Sequence, residues 1–181
     1  MKLNVKEFEK IIKGRRSIRL WQEKKVPRQV IEKLIDAARY APSSCDRQPL
    51  KFLVLEKKDD IEFTAGKTAG GVGFAHKAAL AILVLADARV YSLPIERHTP
   101  YLDGAAAIQN LLLSAHIQGL GAVWLNWCTS HKSEEDTRKR FNIPEYVLPV
   151  SLIGLGYPAI KPPTPARKKI SDLIEWNSFK Q

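Results

Sequence analysis

The stretch DGAAAIQNLLLSAHIQG (residues 103–119) decides the fold because it is long, almost wholly apolar and closed by glycine. Its length favours a helix over a strand, and because the helix has no polar face we expect burial on most sides. The chain has 181 residues, enough for one domain with a sizeable core. In a domain of this size, such a helix indicates an interface between two copies of the chain.

Strands and amphipathic helices alternate around this helix. Four runs are short, apolar and rich in β-branched or aromatic residues, which predicts strands. These are residues 50–56, 79–87, 122–127 and 148–157. Apolar residues at helical spacing predict further helices over 4–13 and 27–40, and residues 133–141 are expected to form another short helix. Gly14 ends the first of these helices and Pro42 stops the second.

The end of the chain, residues 159–181, is expected to form an arm rather than part of the core. It begins with a proline-rich, basic segment, which is typical of extended chain. Four apolar residues then recur at helical spacing. These are Ile170, Leu173, Ile174 and Trp176. With neither internal repeats nor a linker, we predict one domain over residues 1–181 whose C-terminal arm packs on a partner subunit.

Composition and charge narrow the possible functions. Hydrophobic residues make up 45% of the chain and charged residues 27%, which is typical of a globular protein. The net charge of +10 fits either nucleic-acid binding or attraction of small anions such as nucleotides. Many lysines lie in segments of alternating charge, and the aromatic residues do not alternate with basic ones as a base-stacking surface requires. We therefore expect no nucleic-acid partner, although charge alone leaves both classes open.

The sequence shows no sign of a membrane segment, a disulfide framework or a metal site. The start of the chain lacks a signal-peptide pattern, and the longest apolar run, residues 78–88, is far shorter than the roughly 20 residues that cross a bilayer. Cys45 and Cys128 have no metal-ligand spacing, and the four histidines are scattered. We therefore predict a cytoplasmic protein without membrane or metal partners.

Three arginines and a serine lie within five positions, directly after the glycine that ends the first helix. They are Arg15, Arg16, Ser17 and Arg19. In irregular or extended backbone, guanidinium groups and a hydroxyl can converge on one anionic group, and a phosphate fits that arrangement. A chance cluster on a solvated loop is the alternative in a chain with 29 basic residues.

A second polar loop, PSSCDRQP (42–49), carries two hydroxyls, a carboxylate and an amide between a helix and a strand. Taken alone, such a loop more often only stops a helix. The segment AGKTAGG (65–71) ends like a phosphate-binding loop, but Ile61 stands where that motif requires its first glycine. We therefore do not predict nucleoside-triphosphate binding at this segment.

Taken together, four segments resemble the ordered landmarks of the flavin-dependent nitroreductase family. They are RRSIR, APSSCDRQPLKFLVL, DGAAAIQNLLLSAHIQGLGAVWL and FNIPEYVLPVSLIGLGYP. The resemblance covers nearly the whole chain. It implies an α+β fold in which helices wrap a mixed, largely antiparallel sheet. It also implies an intertwined homodimer that binds FMN at the subunit interface and takes electrons from NADH or NADPH.

The same resemblance assigns roles to individual residues. It implies that Arg15, Arg16 and Ser17 contact the phosphate and ribityl chain of FMN, and that Arg167 closes over the phosphate. Arg19 would stand beside the pyrimidine edge of the flavin, where a fixed positive charge stabilises the reduced ring. Other positions are implied to reach the ring, five of them from the partner subunit. These five are Pro42, Ser43, Ser44, Asp46 and Gln48, and Asn126 is a further candidate for hydrogen bonding to the ring. Gly154 and Gly156 would let the backbone approach the cofactor, although an ordinary role of glycine at a strand end explains them equally well.

The activity that follows is an FMN-dependent oxidoreductase, in which NAD(P)H reduces the flavin and an electron-poor acceptor, such as a nitroaromatic or a quinone, reoxidises it. The flavin carries the chemistry, and the sequence shows no nucleophile–histidine arrangement. Another flavin reaction, such as flavin fragmentation or reductive dehalogenation, remains open, as does a non-catalytic flavin-binding protein.

Two positions depart from the family pattern. Asp46 replaces an asparagine, and a carboxylate only accepts hydrogen bonds whereas an amide also donates them. We hypothesise that Asp46 lowers the reduction potential of the flavin or pairs with a neighbouring arginine such as Arg47. Leu50 replaces a tryptophan, which we expect to alter packing alone.

Overall fold

The structure, a computed structural model, describes residues 4–127 and 130–179. Within these ranges five α-helices and four β-strands follow one another along the chain. They are α1 (Val5–Gly14), α2 (Arg28–Arg39), β1 (Leu50–Leu55), α3 (Lys58–Ala65), β2 (Leu80–Asp87), α4 (Thr99–Ile117), β3 (Gly121–Asn126), α5 (His131–Phe141) and β4 (Val147–Gly156). The α+β fold predicted from the sequence is confirmed.

The four strands form one antiparallel sheet in the order β1-β2-β4-β3. β2 and β4 are the central strands, and nearly all of their residues are buried, as their continuous apolar sequences indicate. The segment after α1 adds a parallel bridge between Ser17 and Ala122 at the β3 edge. This bridge matters for function because it attaches the arginine-rich segment to the sheet.

The helix α4 packs between α2 and one face of the sheet. Leu34 of α2, Ile108 of α4 and Ile153 of β4 are completely buried in this layer, and burying such a side chain stabilises the fold by about 1.5–3 kcal/mol. Gly104 allows the close approach, since a Cβ at this position would lie 2.6 Å from Cγ1 of Val150. α4 is therefore held firmly against β4.

The other face of α4 is open in the single chain, so the expectation of burial on most sides holds only in part. Leu102 and Ile117 are 66% and 62% exposed. The helix α1 shows the same feature, because its apolar stripe includes Val5 at 72% and Phe8 at 48% exposure. Two helices thus present apolar surface that their own chain does not cover.

The helix α3 was not predicted from the sequence, which reads there as a connection leading into a glycine-rich segment. It is a single short helix whose polar first turn carries Asp59 and Asp60, while Ile61 and Ala65 are buried four residues apart. That pair and the two aspartates are the helix signals in this stretch.

The C-terminal segment does not form the helix that its apolar spacing would allow. Only a short turn, Ile170–Asp172, is present, and the apolar residues after it are exposed, with Trp176 at 79%. A helix this short is marginal unless it packs on a surface, and these side chains are not buried against any of the described residues. Within residues 4–127 and 130–179, no helix is long and apolar enough to cross a membrane.

Candidate functional site

The arginine-rich segment is fixed between α1 and the sheet edge. The backbone leaves the helix at Arg15, which adopts an extended conformation while its N–H donates to the carbonyl of Ile11 at 3.2 Å. Two residues later the chain pairs with β3, where the N–H of Ile18 donates to the carbonyl of Ala122 at 3.0 Å. Arg15, Arg16 and Ser17 are therefore held half-buried in one short extended strip.

Positive charges gather around Arg15 without negative partners. Burial, followed by the charges of Arg16 and Arg167, lowers the pKa of Arg15 below the ordinary arginine value. The tail residue Arg167 thus lies close to the segment with which the resemblance associated it. Across the described residues, no carboxylate forms an ion pair with Arg15, Arg16, Arg167 or Lys161. Such a group of like charges favours binding of an anion.

Arg16 fastens the C-terminal segment over this strip. Its Nη1 donates to the carbonyls of Lys13 and Arg15 at 2.6 and 2.8 Å, and its Nη2 donates to Oγ1 of Thr164 at 2.5 Å. These bonds occupy much of the guanidinium fork. Arg16 therefore contributes charge and holds the tail in place, whereas no hydrogen bond occupies the side chain of Arg15 among the described residues.

A cavity of about 340 Å³ lies beside these arginines. Its apolar wall includes Ile18, Leu112 and Leu120, and four basic residues also line it. These are Arg15, Arg16, His116 and Lys161. The volume falls in the range of ligand pockets in proteins, and the lining combines an apolar wall with a cationic rim.

His116, in the last turn of α4, was not identified from the sequence. Burial, and then the charges of Arg15, Arg16 and Lys161, lowers the pKa of its imidazole. The one sequence feature that could have identified it is the position of this histidine at the end of an otherwise apolar helix, just before strand β3. Only the packing of α1 against α4 brings it to the arginines.

Arg19 and Asn126 lie on either side of one glycine-rich segment. The Cζ atom of Arg19 stands 5.7 Å from the centroid of the Phe74 ring. In the same segment, the N–H of Ala69 donates to the carbonyl of Asn126 at 3.2 Å. Next to Asn126, the indole N–H of Trp127 is buried and has no acceptor among the described residues. These groups supply a cation and one unsatisfied donor to this region.

Gly154 and Gly156, expected to let the backbone approach a cofactor, are buried in β4. A Cβ at Gly156 would lie 2.9 Å from Cδ1 of Trp21 and 3.0 Å from Cβ of Ala79. The nearest neighbour of Gly154 is Val123, at 3.3 Å from such a Cβ. Both glycines therefore make room for core side chains, and a contact of Gly156 with a cofactor stays a prediction.

The second predicted loop is held by a buried carboxylate at the other end of α4. Asp103 accepts hydrogen bonds from the N–H of Ser44 at 3.1 Å and from the hydroxyl of Tyr91 at 2.7 Å. Burial and this hydrogen bond raise the pKa of Tyr91. The loop backbone needs such support because three of its non-glycine residues have positive φ. They are Cys45 (51°), Asp46 (53°) and Gln48 (50°).

A second buried carboxylate, Glu96, holds the far side of this loop. It forms an ion pair with Arg47 and accepts hydrogen bonds from the N–H groups of Ser92 and Leu93, each at 3.0 Å. The pairing of Asp46 with Arg47 that the sequence suggested is therefore wrong. Asp46 instead accepts a hydrogen bond from Nε2 of Gln48 at 3.2 Å.

Within the loop, the N–H of Gln48 donates to Oγ of Ser43 at 2.9 Å, and Asp46, Gln48 and Pro42 are exposed. The loop thus presents several of its predicted residues outward. Within one chain, however, the two predicted halves of the site are apart. Asp103 and His116 are thirteen positions apart in α4, which corresponds to about 20 Å along the helix axis.

The fold and the cationic cavity together define an α+β protein with a site for an anionic ligand. Known proteins narrow this class, because residues 12–157 match the model of the nitroreductase family. The chain is 39% identical over 153 residues to a Methanothermobacter thermautotrophicus protein provisionally named NADH dehydrogenase/NAD(P)H nitroreductase, covering 84% of this chain and 78% of the relative. An FMN reductase [NAD(P)H] of Bacillus subtilis is 23% identical over 168 residues, with 84% and 66% covered.

Among solved structures, a Desulfovibrio desulfuricans protein provisionally described as a nitroreductase, in complex with FMN, is similar with a TM-score of 0.82. It is 26% identical, and the match covers 99% of this chain and 100% of that one. The chain therefore belongs to the nitroreductase family of oxidoreductases.

Proposed function

We propose that the protein is an FMN-dependent oxidoreductase in which NAD(P)H is the reductant and an electron-poor molecule, such as a nitroaromatic or a quinone, is the acceptor. FMN and NAD(P)H are the cofactors that the relatives and the FMN-bound neighbour support. The observation that carries the proposal is the unpaired cationic cluster of Arg15, Arg16 and Arg167, which requires an anion, in a chain of this family.

The residues present fit the phosphate end of FMN. Arg15 retains free N–H donors, Arg167 adds a charge from the tail, and Arg16 keeps that tail in place through Thr164. A guanidinium and a phosphate form strong charge-assisted hydrogen bonds. Ser17 offers a hydroxyl on the same strip, which suits the phosphate or the adjoining ribityl chain.

The residues around the glycine-rich segment fit the ring end. FMN, when bound, supplies the chemistry by accepting hydride from the nicotinamide and passing electrons to the acceptor. Arg19 would place a fixed positive charge beside the ring and stabilise the negative charge of its reduced form. The amide of Asn126 would supply polar contacts to the ring, and the proposed dimer interface would exclude water from it.

We include a homodimer in the proposal, because the loop and the cationic strip lie about 20 Å apart along α4 in one chain. A partner copy can bring its loop to this chain's arginines. The exposed apolar faces of α1 and α4 and the exposed C-terminal apolar residues supply the surface that such a dimer would bury. Pro42, Ser43, Ser44, Asp46 and Gln48 would then contact the partner's flavin.

Asp46 bears on the reduction potential of the proposed cofactor. It is exposed and bound to Gln48 rather than to a cation, so its negative charge is not neutralised by an ion pair. A carboxylate near the ring disfavours the more negative reduced form. We expect Asp46→Asn to raise the flavin potential, measured by spectroelectrochemistry, while an unchanged potential would remove Asp46 from this role.

The proposal is tested with purified protein and added FMN. We expect a yellow protein that bleaches with NADH or NADPH without oxygen and regains its colour when a nitroaromatic or a quinone is added. Parallel double-reciprocal plots would identify a ping-pong mechanism, in which the reductant leaves before the acceptor binds. A yellow protein that never bleaches would mark a flavin-binding protein without turnover, and a colourless protein with salt-sensitive retention on DNA would contradict the proposal outright.

A further inference from the structure

The imidazole of His116 lies where the end of α4 meets the end of α1, on the wall of the cationic cavity. It rests against Gly14, because a Cβ at that position would lie only 2.9 Å from Nε2 of His116. The side chain is half-buried and makes no hydrogen bond to the described residues. The glycine before Arg15 and Arg16 thus leaves room for a ring that has no hydrogen-bond partner in the described part of the chain.

The charges that face this ring are all positive. They come from Arg15 and Arg16 after α1 and from Lys161 in the C-terminal segment. α4 itself carries no other charged residue after Asp103, and β3 carries none. A histidine that served only the fold would find an acceptor or a carboxylate, whereas this one faces the same cavity as three cations.

We propose that His116 is a further binding residue for the phosphate of FMN, and that it takes up a proton when the phosphate occupies the cavity. This inference rests on the proposed function, since it needs an anionic ligand at this position. Burial and the three cations lower the pKa of the ring and so favour its neutral form. A phosphate nearby reverses the balance, because opposite charge favours the imidazolium form and both ring nitrogens can then donate.

The proposal predicts a pH dependence of FMN binding that is caused by the side chain of His116. Because binding takes up a proton, the contribution of His116 to FMN affinity falls as pH rises through the histidine range, by about tenfold between pH ~5.5 and ~8.5. The second ionisation of the phosphate, near pH ~6, acts in the opposite direction. It is common to all variants, so a comparison of variants isolates the contribution of His116.

The test compares wild type, His116→Gln and His131→Gln, the last as a control that changes an exposed histidine paired with Glu135 on α5. FMN and riboflavin affinities are measured by flavin fluorescence quenching across this pH range. We expect the FMN affinities of wild type and of the control, each divided by that of His116→Gln, to fall as pH rises across this range. Riboflavin, which lacks the phosphate, should show no difference between variants.

A second variant probes the contact without altering the histidine. Gly14→Ala would push the ring aside, and alanine is otherwise favourable in a helix. We expect this variant to bind riboflavin normally and to lose most of the pH dependence of FMN binding. A profile identical to wild type in both His116→Gln and Gly14→Ala would overturn the inference.

Nuclear magnetic resonance separates this inference from the proposed function. The pH titration of the His116 Cε1–H signal is recorded with and without inorganic phosphate. We expect phosphate to move its midpoint to higher pH, and an unmoved midpoint would overturn the inference. Failure of FMN to bind at any pH would instead overturn the proposed function, and phosphate alone would still decide the role of His116.

Discussion

The two ends of α4 differ in how their charges are matched. At the beginning of the helix the carboxylates have partners in the chain. Asp103 accepts hydrogen bonds from Ser44 and Tyr91, and Glu96 forms an ion pair with Arg47. Around His116, at the other end, positive charges meet one another without a carboxylate among the described residues. The first end is complete within one chain, whereas the second requires an anion.

This difference separates stability from binding. Removing a partner at the complete end leaves buried polar groups unsatisfied, so the cost appears in the folded chain itself. Removing a charge at the incomplete end relieves repulsion in the ligand-free protein and weakens only the binding of the ligand. The same kind of substitution should therefore have opposite consequences at the two ends.

The largest expected effect is at the complete end. Asp103→Ala should lower the free energy of unfolding by about 2–4 kcal/mol, because the N–H of Ser44 and the hydroxyl of Tyr91 both lose their acceptor. Urea denaturation measures this free energy. Asp103→Asn should lose less stability, because its amide oxygen still accepts hydrogen bonds. The exposed Asp36→Ala serves as the control, at under about 1 kcal/mol. Equal stability of the Asp103→Ala and Asp36→Ala variants would contradict the comparison.

At the incomplete end, Arg15→Gln should weaken FMN binding by about tenfold to a hundredfold, which is the loss of charge-assisted hydrogen bonds worth about 1.5–3 kcal/mol. Fluorescence titration measures it, and riboflavin affinity should stay unchanged.

The stability of the empty Arg15→Gln protein sharpens this result. Its free energy of unfolding should not fall, because one of several unpaired like charges has been removed. Arg28→Gln, which changes an exposed arginine paired with Glu32, is the matched control and should leave FMN binding unaltered. A clear loss of stability in Arg15→Gln would show that the cationic end is structural after all.

The smallest expected effect is a pH dependence of stability at the complete end. The hydrogen bond from Arg47, and then that from the N–H of Leu93, lower the pKa of Glu96. A lowered folded-state pKa contributes stability that is fully present above the unfolded value and is lost as pH falls through the folded value. The free energy of unfolding, measured by urea denaturation below pH ~4.5, should therefore decline more steeply with falling pH for wild type than for Glu96→Gln. Parallel declines would exclude this contribution.

Local patterns in the sequence predicted most of the elements, because helical and strand periodicity follow from burial of one face. α3 was missed since it is short and its signal amounts to one buried pair, and the C-terminal helix does not form because no surface of the same chain supports it. The arginine strip was visible as a run of charges. Its neighbours Arg167 and His116 arrive from distant segments, so tertiary packing decides the contact.

The loop at the complete end shows the same limit. Ser43, Ser44 and Gln48 were predicted as a group, but their anchors Asp103 and Glu96 lie far along the chain. A carboxylate inside an apolar helix gives no sign in sequence of which donor it will accept. The choice of Glu96 over Asp46 as the partner of Arg47 likewise depends on the positive-φ backbone of the loop.

The most direct test of the central claim, that each FMN site takes its cations from one copy and its loop from another, is complementation. One variant carries Arg15→Gln and Arg167→Gln, and the other carries Ser43→Ala, Asp46→Ala and Gln48→Ala. Each alone should lose FMN while remaining dimeric. After equal mixing and subunit exchange, half of the dimers are mixed and one of their two sites is intact, so about one quarter of all sites should bind FMN. A mixture that binds no more FMN than its separate components would contradict the shared site.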